Sequence, residues 1–210
     1  MMKPFFLPAV AVLALGAIGT PAFAQQEPTA HEPGLQETAY HELHARGNAM
    51  LSVDSPSFTL NSDIPLADTR YRGDRFPGLT WDGAPIDTKS FVVIVQDGDA
   101  MKGGEPLVHW TMYNIKPSTQ TLSVGEKSPP SGAHYGPSSF GKDEPYMGPK
   151  TPAGPKHRYH WEVFALDTKL ALSPSANYDA LVAAMKGHVI SSGETIGLGT
   201  VDPKVASGDK

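Results

Sequence analysis

The apolar positions of the chain fall into a few short, separated patterns. Ser57-Phe58-Thr59-Leu60 alternates with the period of two of a half-buried strand, and Ser90-Phe91-Val92-Val93-Ile94-Val95-Gln96 is a continuous β-branched run that suits a strand covered on both faces. The second run predicts a central strand. Residues 108–115 and 158–166 are two more alternating, aromatic-rich strands, each with a histidine beside a tryptophan, His109-Trp110 and His160-Trp161. Between them, residues 117–153 are dense in Pro, Gly and Ser without a periodic run, and a connection of that length tends to carry function. One helix is predicted, over residues 177–186, from Tyr178, Leu181, Val182 and Met185 at i, i+3, i+4 and i+7. Residues 188–201 read as one or two closing strands broken by Gly193, Gly197 and Gly199. Several strands, many turns and one late helix predict an antiparallel β-sandwich with a peripheral helix.

The amino-terminal pattern is different. Lys3 precedes a mostly apolar stretch at residues 5–18, and Ala22-Phe23-Ala24 closes it, which reads as a signal peptide over residues 1–24 cleaved before Gln25. The apolar stretch is broken by Pro8 and Gly16 and is shorter than the ~20 residues a membrane span needs, so no transmembrane segment is expected in the mature chain. The expected location is the periplasm or the outside of the cell. Residues 25–52 are polar, carry His31, His41 and His44, and read as an extension to a domain at residues 53–205. A short helix over residues 35–46 would put His41 and His44 on one face, a start for a divalent-metal site. No further ligand stands at a matching offset, so a solvated tail is the simpler reading and no metal site or cofactor is expected.

Composition narrows the function classes. A chain of 210 residues that is 40% hydrophobic has room for one ordinary domain or two small ones. Lys+Arg 17 against Asp+Glu 22 gives a net charge of −5 with no basic run, which argues against nucleic acid and anionic membrane surfaces as partners. The absence of cysteine excludes disulfides, thiolate metal sites and a cysteine nucleophile.

Two clusters could carry chemistry. Asp97-Gly98-Asp99 follows directly on the apolar strand, and either carboxylate can orient His109 or hold it protonated if the strands are neighbours. The alternative is a buried histidine satisfied by backbone. The second cluster runs from Tyr146 to Tyr159, a Pro/Gly-stiffened loop opening into His157-Arg158-Tyr159. Arg158 offers a guanidinium fork for an anion or, the better reading, for an internal ion pair with the acidic turn.

At these clusters the chain resembles the phosphatidylethanolamine-binding protein family, most of all its bacterial Raf-kinase-inhibitor-like branch. The residues are Asp97-Gly98-Asp99-Ala100, His109-Trp110, Tyr146-x-Gly148, Pro152-x-Gly154-x-x-His157-Arg158-Tyr159 and Phe164-Ala165-Leu166-Asp167, with Leu79-Thr80-Trp81 and Thr88-Lys89-Ser90-Phe91 ahead of them. The resemblance covers roughly residues 57–201. It implies a mainly all-β fold, an antiparallel two-sheet, Greek-key-like sandwich with a peripheral C-terminal helix, and an anion-accepting pocket near one end. The implied ligand-binding residues are Asp97, Asp99, His109, Trp110, Tyr146, Gly148, Pro152, His157, Arg158 and Tyr159. Three places depart from the family pattern: Gly98 and Met101 stand where prolines are usual, Phe76-Pro77 replaces Ser-Pro, and Lys150 enters the stretch before Pro152 as a rim cation.

The first functional reading is a non-catalytic binder of a small anion: phosphate, a phosphoester or phospholipid headgroup, or a carboxylate. A second is a regulator or inhibitor docking on an envelope protein or protease through its Pro/Gly-rich loops. A His/Asp hydrolase ranks third, because neither a Gly-x-Ser-x-Gly elbow nor a His-Glu-x-x-His motif accompanies His109.

Overall fold

The computed structural model describes residues 38–142, 145–199 and 201–206. The signal-peptide reading and His31 lie outside them. In chain order the elements are α1 (Ala39–Glu42), β1 (Ser52–Asp54), β2 (Ser62–Asp63), a 3₁₀ turn (Leu66–Asp68), β3 (Leu79–Asp82), β4 (Ser90–Lys102), β5 (Glu105–Ile115), β6 (Thr121–Leu122), β7 (His134–Tyr135), β8 (Pro137–Ser138), β9 (Gly141–Lys142), β10 (Arg158–Leu166), α2 (Tyr178–Met185), β11 (Val189–Leu198) and α3 (Pro203–Ala206).

The strands form a six-stranded sheet of order β2-β11-β10-β4-β5-β7, a three-stranded sheet of order β1-β3-β6, and the hairpin β8-β9. All pairings are antiparallel except β11 with β2. The apolar run of β4 lies between β10 and β5, buried on both faces as its composition requires. Its odd-numbered residues Val93 and Val95 join Trp110 and Trp161 in packing against Leu79 and Trp81 of the small sheet. Its even-numbered residues Val92 and Ile94, with Phe164, pack on the opposite face against Ala39, Leu43, Leu181 and Met185. The large sheet is therefore covered by the small sheet on one side and by α1 and α2 on the other.

Four expectations change. Residues 57–60 form no strand: Phe58 is a single buried anchor on Trp161, 4.8 Å between centroids, and the chain then turns as Ser62 Oγ accepts the Thr59 N–H at 3.0 Å. One anchor followed by a turn mimics alternation over four residues. The helix expected over residues 35–46 is the single turn α1 among the described residues, ending at Glu42, so His41 and His44 share no helical face. Nor is this stretch a solvated tail. Ala39, Leu43 and Leu51 are buried, and the Leu51 N–H donates to the Ser192 carbonyl at 3.0 Å. The strand that carries Asp97-Gly98-Asp99 does not stop there but runs to Lys102, with a register shift between Asp97 and Met101. The tight turn is Gly103-Gly104, whose φ values of 69° and 94° suit glycine.

The predicted helix is present as α2, with Asn177 at its N-cap accepting the Ala180 N–H at 3.0 Å. The closing segment is one strand, β11. Its glycines fit closely packed neighbours, since a Cβ at Gly193 would lie 2.2 Å from the Leu51 carbonyl oxygen.

Candidate functional site

Asp97 pairs with Tyr159 of β10 on one side and Leu107 of β5 on the other, which places its carboxylate beside the segment that enters β10. The carboxylate is 2% exposed and both oxygens are engaged. Oδ1 accepts the Asp99 N–H at 3.0 Å and Oδ2 accepts His157 Nδ1–H at 2.8 Å. His157, not His109, is thus the histidine that the acidic segment orients. Asp99 takes the guanidinium of Arg158 as a fork, Nε at 3.0 Å and Nη2 at 2.8 Å, and the Arg158 N–H at 2.7 Å. This is the internal ion pair, tying β4 to the start of β10.

His109 projects from β5 and is 4% exposed. Its Nδ1 lies 3.0 Å from the Met147 carbonyl oxygen, which only accepts, so Nδ1 carries the hydrogen. Its ring meets Tyr159 and Phe140 edge-on, at 5.2 and 5.4 Å between centroids. Burial lowers its pKa below the usual histidine value, outweighing the Met147 hydrogen bond and the Asp97 charge that favour protonation. His109 is neutral at pH 7, with Nε2 a buried acceptor that has no hydrogen-bond partner. Tyr159 is fully buried, hydrogen-bonded to Thr151 Oγ1 at 3.2 Å, and burial followed by the Asp97 charge pushes its pKa up.

Asp97, His109, Pro152, His157 and Tyr159 line one cavity of about 360 Å³, joined by Ala100, Leu107, Phe140, Lys150 and Arg70. Lys150 and Arg70 are exposed cations at its rim, and the Arg70 guanidinium stands 6.0 Å from the Phe140 ring centroid. Arg70 was not expected from sequence. It arrives because its N–H donates to the Pro149 carbonyl at 2.9 Å, a contact between two irregular segments that no local pattern announces.

The remaining expected residues lie elsewhere. Trp110 points to the opposite face of β5 from His109 and is core, 5.3 Å from the Phe76 ring and 6.0 Å from Tyr146. Tyr146 lines a neighbouring cavity of about 690 Å³ with Asp74, Arg75, Phe76 and Lys127, and burial raises its hydroxyl pKa well above the ordinary value. Gly148 supports the site from behind, donating its N–H to Asp74 Oδ1 at 2.6 Å where a Cβ would come within 2.6 Å of the Asp68 carbonyl oxygen. Among the described residues, the one group of three metal-ligating side chains is His160, Glu162 and Glu194, on the helix-covered face of the large sheet.

A family model described as phosphatidylethanolamine-binding protein matches residues 54–199. The UPF0098 protein PH1269 of Pyrococcus horikoshii is 40% identical over 149 residues, 69% of this chain and 74% of its own length. A UPF0098 protein of Aquifex aeolicus is 35% identical over 161 residues, 75% of this chain and 92% of its own. Two crystal structures superpose on the fold. YbcL of E. coli, a member of the mammalian PEBP family, has a TM-score of 0.66 at 25% identity, covering 73% of this chain and 100% of its own. The PEBP homologue CT736 of Chlamydia trachomatis has a TM-score of 0.65 at 28% identity, with coverage of 74% and 100%.

Proposed function

The chain belongs to the phosphatidylethanolamine-binding protein family, and on that premise we propose that the Asp97–His109–His157–Tyr159 cavity binds a small anion without transforming it. The ligand class is a phosphate, a phosphoester headgroup or a carboxylate. The observation that carries the reading is that residues from five separate parts of the chain meet around one cavity whose rim bears Arg70 and Lys150.

Each group has a distinct part. Arg70 and Lys150 supply the positive charge, and His157, held by Asp97 through Nδ1, keeps Nε2 for the ligand. His109 accepts through Nε2, which suits a ligand that carries a proton or ammonium beside its anionic oxygens. Tyr159 and Phe140 form apolar walls. Catalysis finds little support here. Among the cavity-lining residues the one hydroxyl belongs to Tyr159, whose raised pKa makes it a poor nucleophile.

Calorimetric titration with phosphate, phosphoethanolamine and acetate tests the reading. Saturable one-to-one binding is expected, weakened by added salt and reduced roughly ten- to hundredfold in Arg70→Ala, the scale of one lost charge-assisted contact. Binding unaffected by both Arg70→Ala and Lys150→Ala would contradict it. Export to the periplasm or beyond is part of the same proposal. It is supported by Ala22-Phe23-Ala24 at the end of the apolar leader, and an intact mass corresponding to a chain that begins at Gln25 is its expected outcome.

A further inference from the structure

Two carboxylates meet inside the protein on the face of the large sheet turned away from the cavity. Glu162 of β10 and Glu194 of β11 are direct partners across the antiparallel pair. His160, two residues before Glu162 and on the same face, lies with Nδ1 2.8 Å from Glu194 Oε2. His160 and Glu162 are fully buried, and the Glu194 side chain is 15% exposed. One ligand atom from each of the three lies within 4.8 Å of the other two.

This arrangement is out of electrostatic balance. Like charges opposite each other in a sheet repel, and a buried carboxylate is costly unless it is neutralised. A single imidazole cannot balance two carboxylates. The surroundings resolve the mismatch only in part: the Tyr40 backbone and the Thr38 side chain approach Glu162 as hydrogen-bond donors, but neither brings a positive charge, and His160 Nε2 has no hydrogen-bond partner. Gln96, the register partner of His160 on β4, accepts the Ala39 N–H at Oε1, 2.7 Å away, and its side chain meets the Tyr178 hydroxyl, so it brings no charge to the pair.

We propose that His160, Glu162 and Glu194 bind one divalent transition-metal cation of the Zn²⁺, Mn²⁺ or Co²⁺ class. One imidazole and two carboxylates are a donor set these ions accept. The two negative charges cancel the dication, so the ion is buried with no net charge. Bonds of about 2.0–2.2 Å hold tetrahedral ligand atoms about 3.4 Å apart, so atoms spread over no more than 4.8 Å reach an ion by side-chain rotation, with the strands fixed. Glu194, the partly exposed member, is the point of entry, and water completes the coordination. The site is separate from the anion cavity and lies beside the α1 segment, whose Thr38 side chain and Tyr40 backbone approach Glu162 as hydrogen-bond donors.

The test uses the mature chain after treatment with a chelator. Zn²⁺, Mn²⁺ and Co²⁺ are titrated by calorimetry, ions per chain are counted by native mass spectrometry, and the visible spectrum of Co²⁺ reports its coordination. One ion per chain is expected, with a raised melting temperature and an affinity at least tenfold lower in Glu162→Gln and in His160→Gln. The variants His44→Ala and His134→Ala, at exposed histidines, are expected to bind as wild type. No ion bound would overturn the proposal and leave the two carboxylates sharing a proton. Affinity unchanged by Glu162→Gln would overturn it as well. Should that variant fail to fold by circular dichroism, Glu194→Gln, at the exposed edge, must show the same tenfold loss.

Discussion

A histidine that has given its Nδ1–H to a backbone carbonyl has one nitrogen left, and burial decides whether that nitrogen holds a proton. For His109 burial wins, so the unfolded chain takes up a proton at this residue before the folded chain does. The stability that neutral His109 contributes is full above about pH 6.5 and declines as the pH falls through its lowered folded value. Urea midpoints measured from about pH 6.5 down to about pH 5 should therefore fall less steeply in His109→Asn than in wild type. Equal slopes would mean that the imidazole is not held neutral. The same scale explains which site residues were legible. Adjacent positions on a strand face opposite ways, so the period of two already separates Trp110 from His109, and only the family motif joined them. Arg70 was illegible because its place depends on a backbone bond to Pro149, formed between irregular segments.

Elements that bury long, regular patterns could be read from sequence; those defined by a few tertiary contacts could not. The β4 run, the two His-Trp strands and α2 each declare themselves within a window of seven residues or more. β1 has three residues and its position is fixed by pairing with β3, while Leu51 just before it bonds to Ser192 of β11. The glycines of β11 looked like interruptions because their role, close approach of another backbone, belongs to the partner. Gly193→Ala should push its Cβ against the Leu51 carbonyl and cost on the order of 1–3 kcal/mol. Asn177→Ala removes the α2 cap and should cost about 1 kcal/mol. Denaturant unfolding of the two variants compares them directly. A Gly193→Ala variant as stable as wild type would contradict the packing of the β1 segment on β11.

At the scale of the whole molecule the sandwich was legible, because strand count, turn density and one late helix leave few layered arrangements. What the sequence hid was the second covering layer. Residues 38–51 are too polar to declare a helix or strand, yet Ala39 and Leu43 close the face that α2 leaves open. The cavity forms where the irregular segments around Arg70 and Lys150 fold over the ends of β4, β5 and β10, so its chemistry draws on both ordered strands and irregular chain. Histidine side-chain nuclear magnetic resonance during a phosphoethanolamine titration shows whether the cavity takes the anion, since it reads the two imidazoles of the cavity separately. The ring-nitrogen signals of His109 and His157 are expected to move along one saturating curve while those of exposed His134 and His188 stay still. Signals of His109 and His157 that do not respond, or that move no more than those of His134 and His188, would contradict anion binding in the cavity.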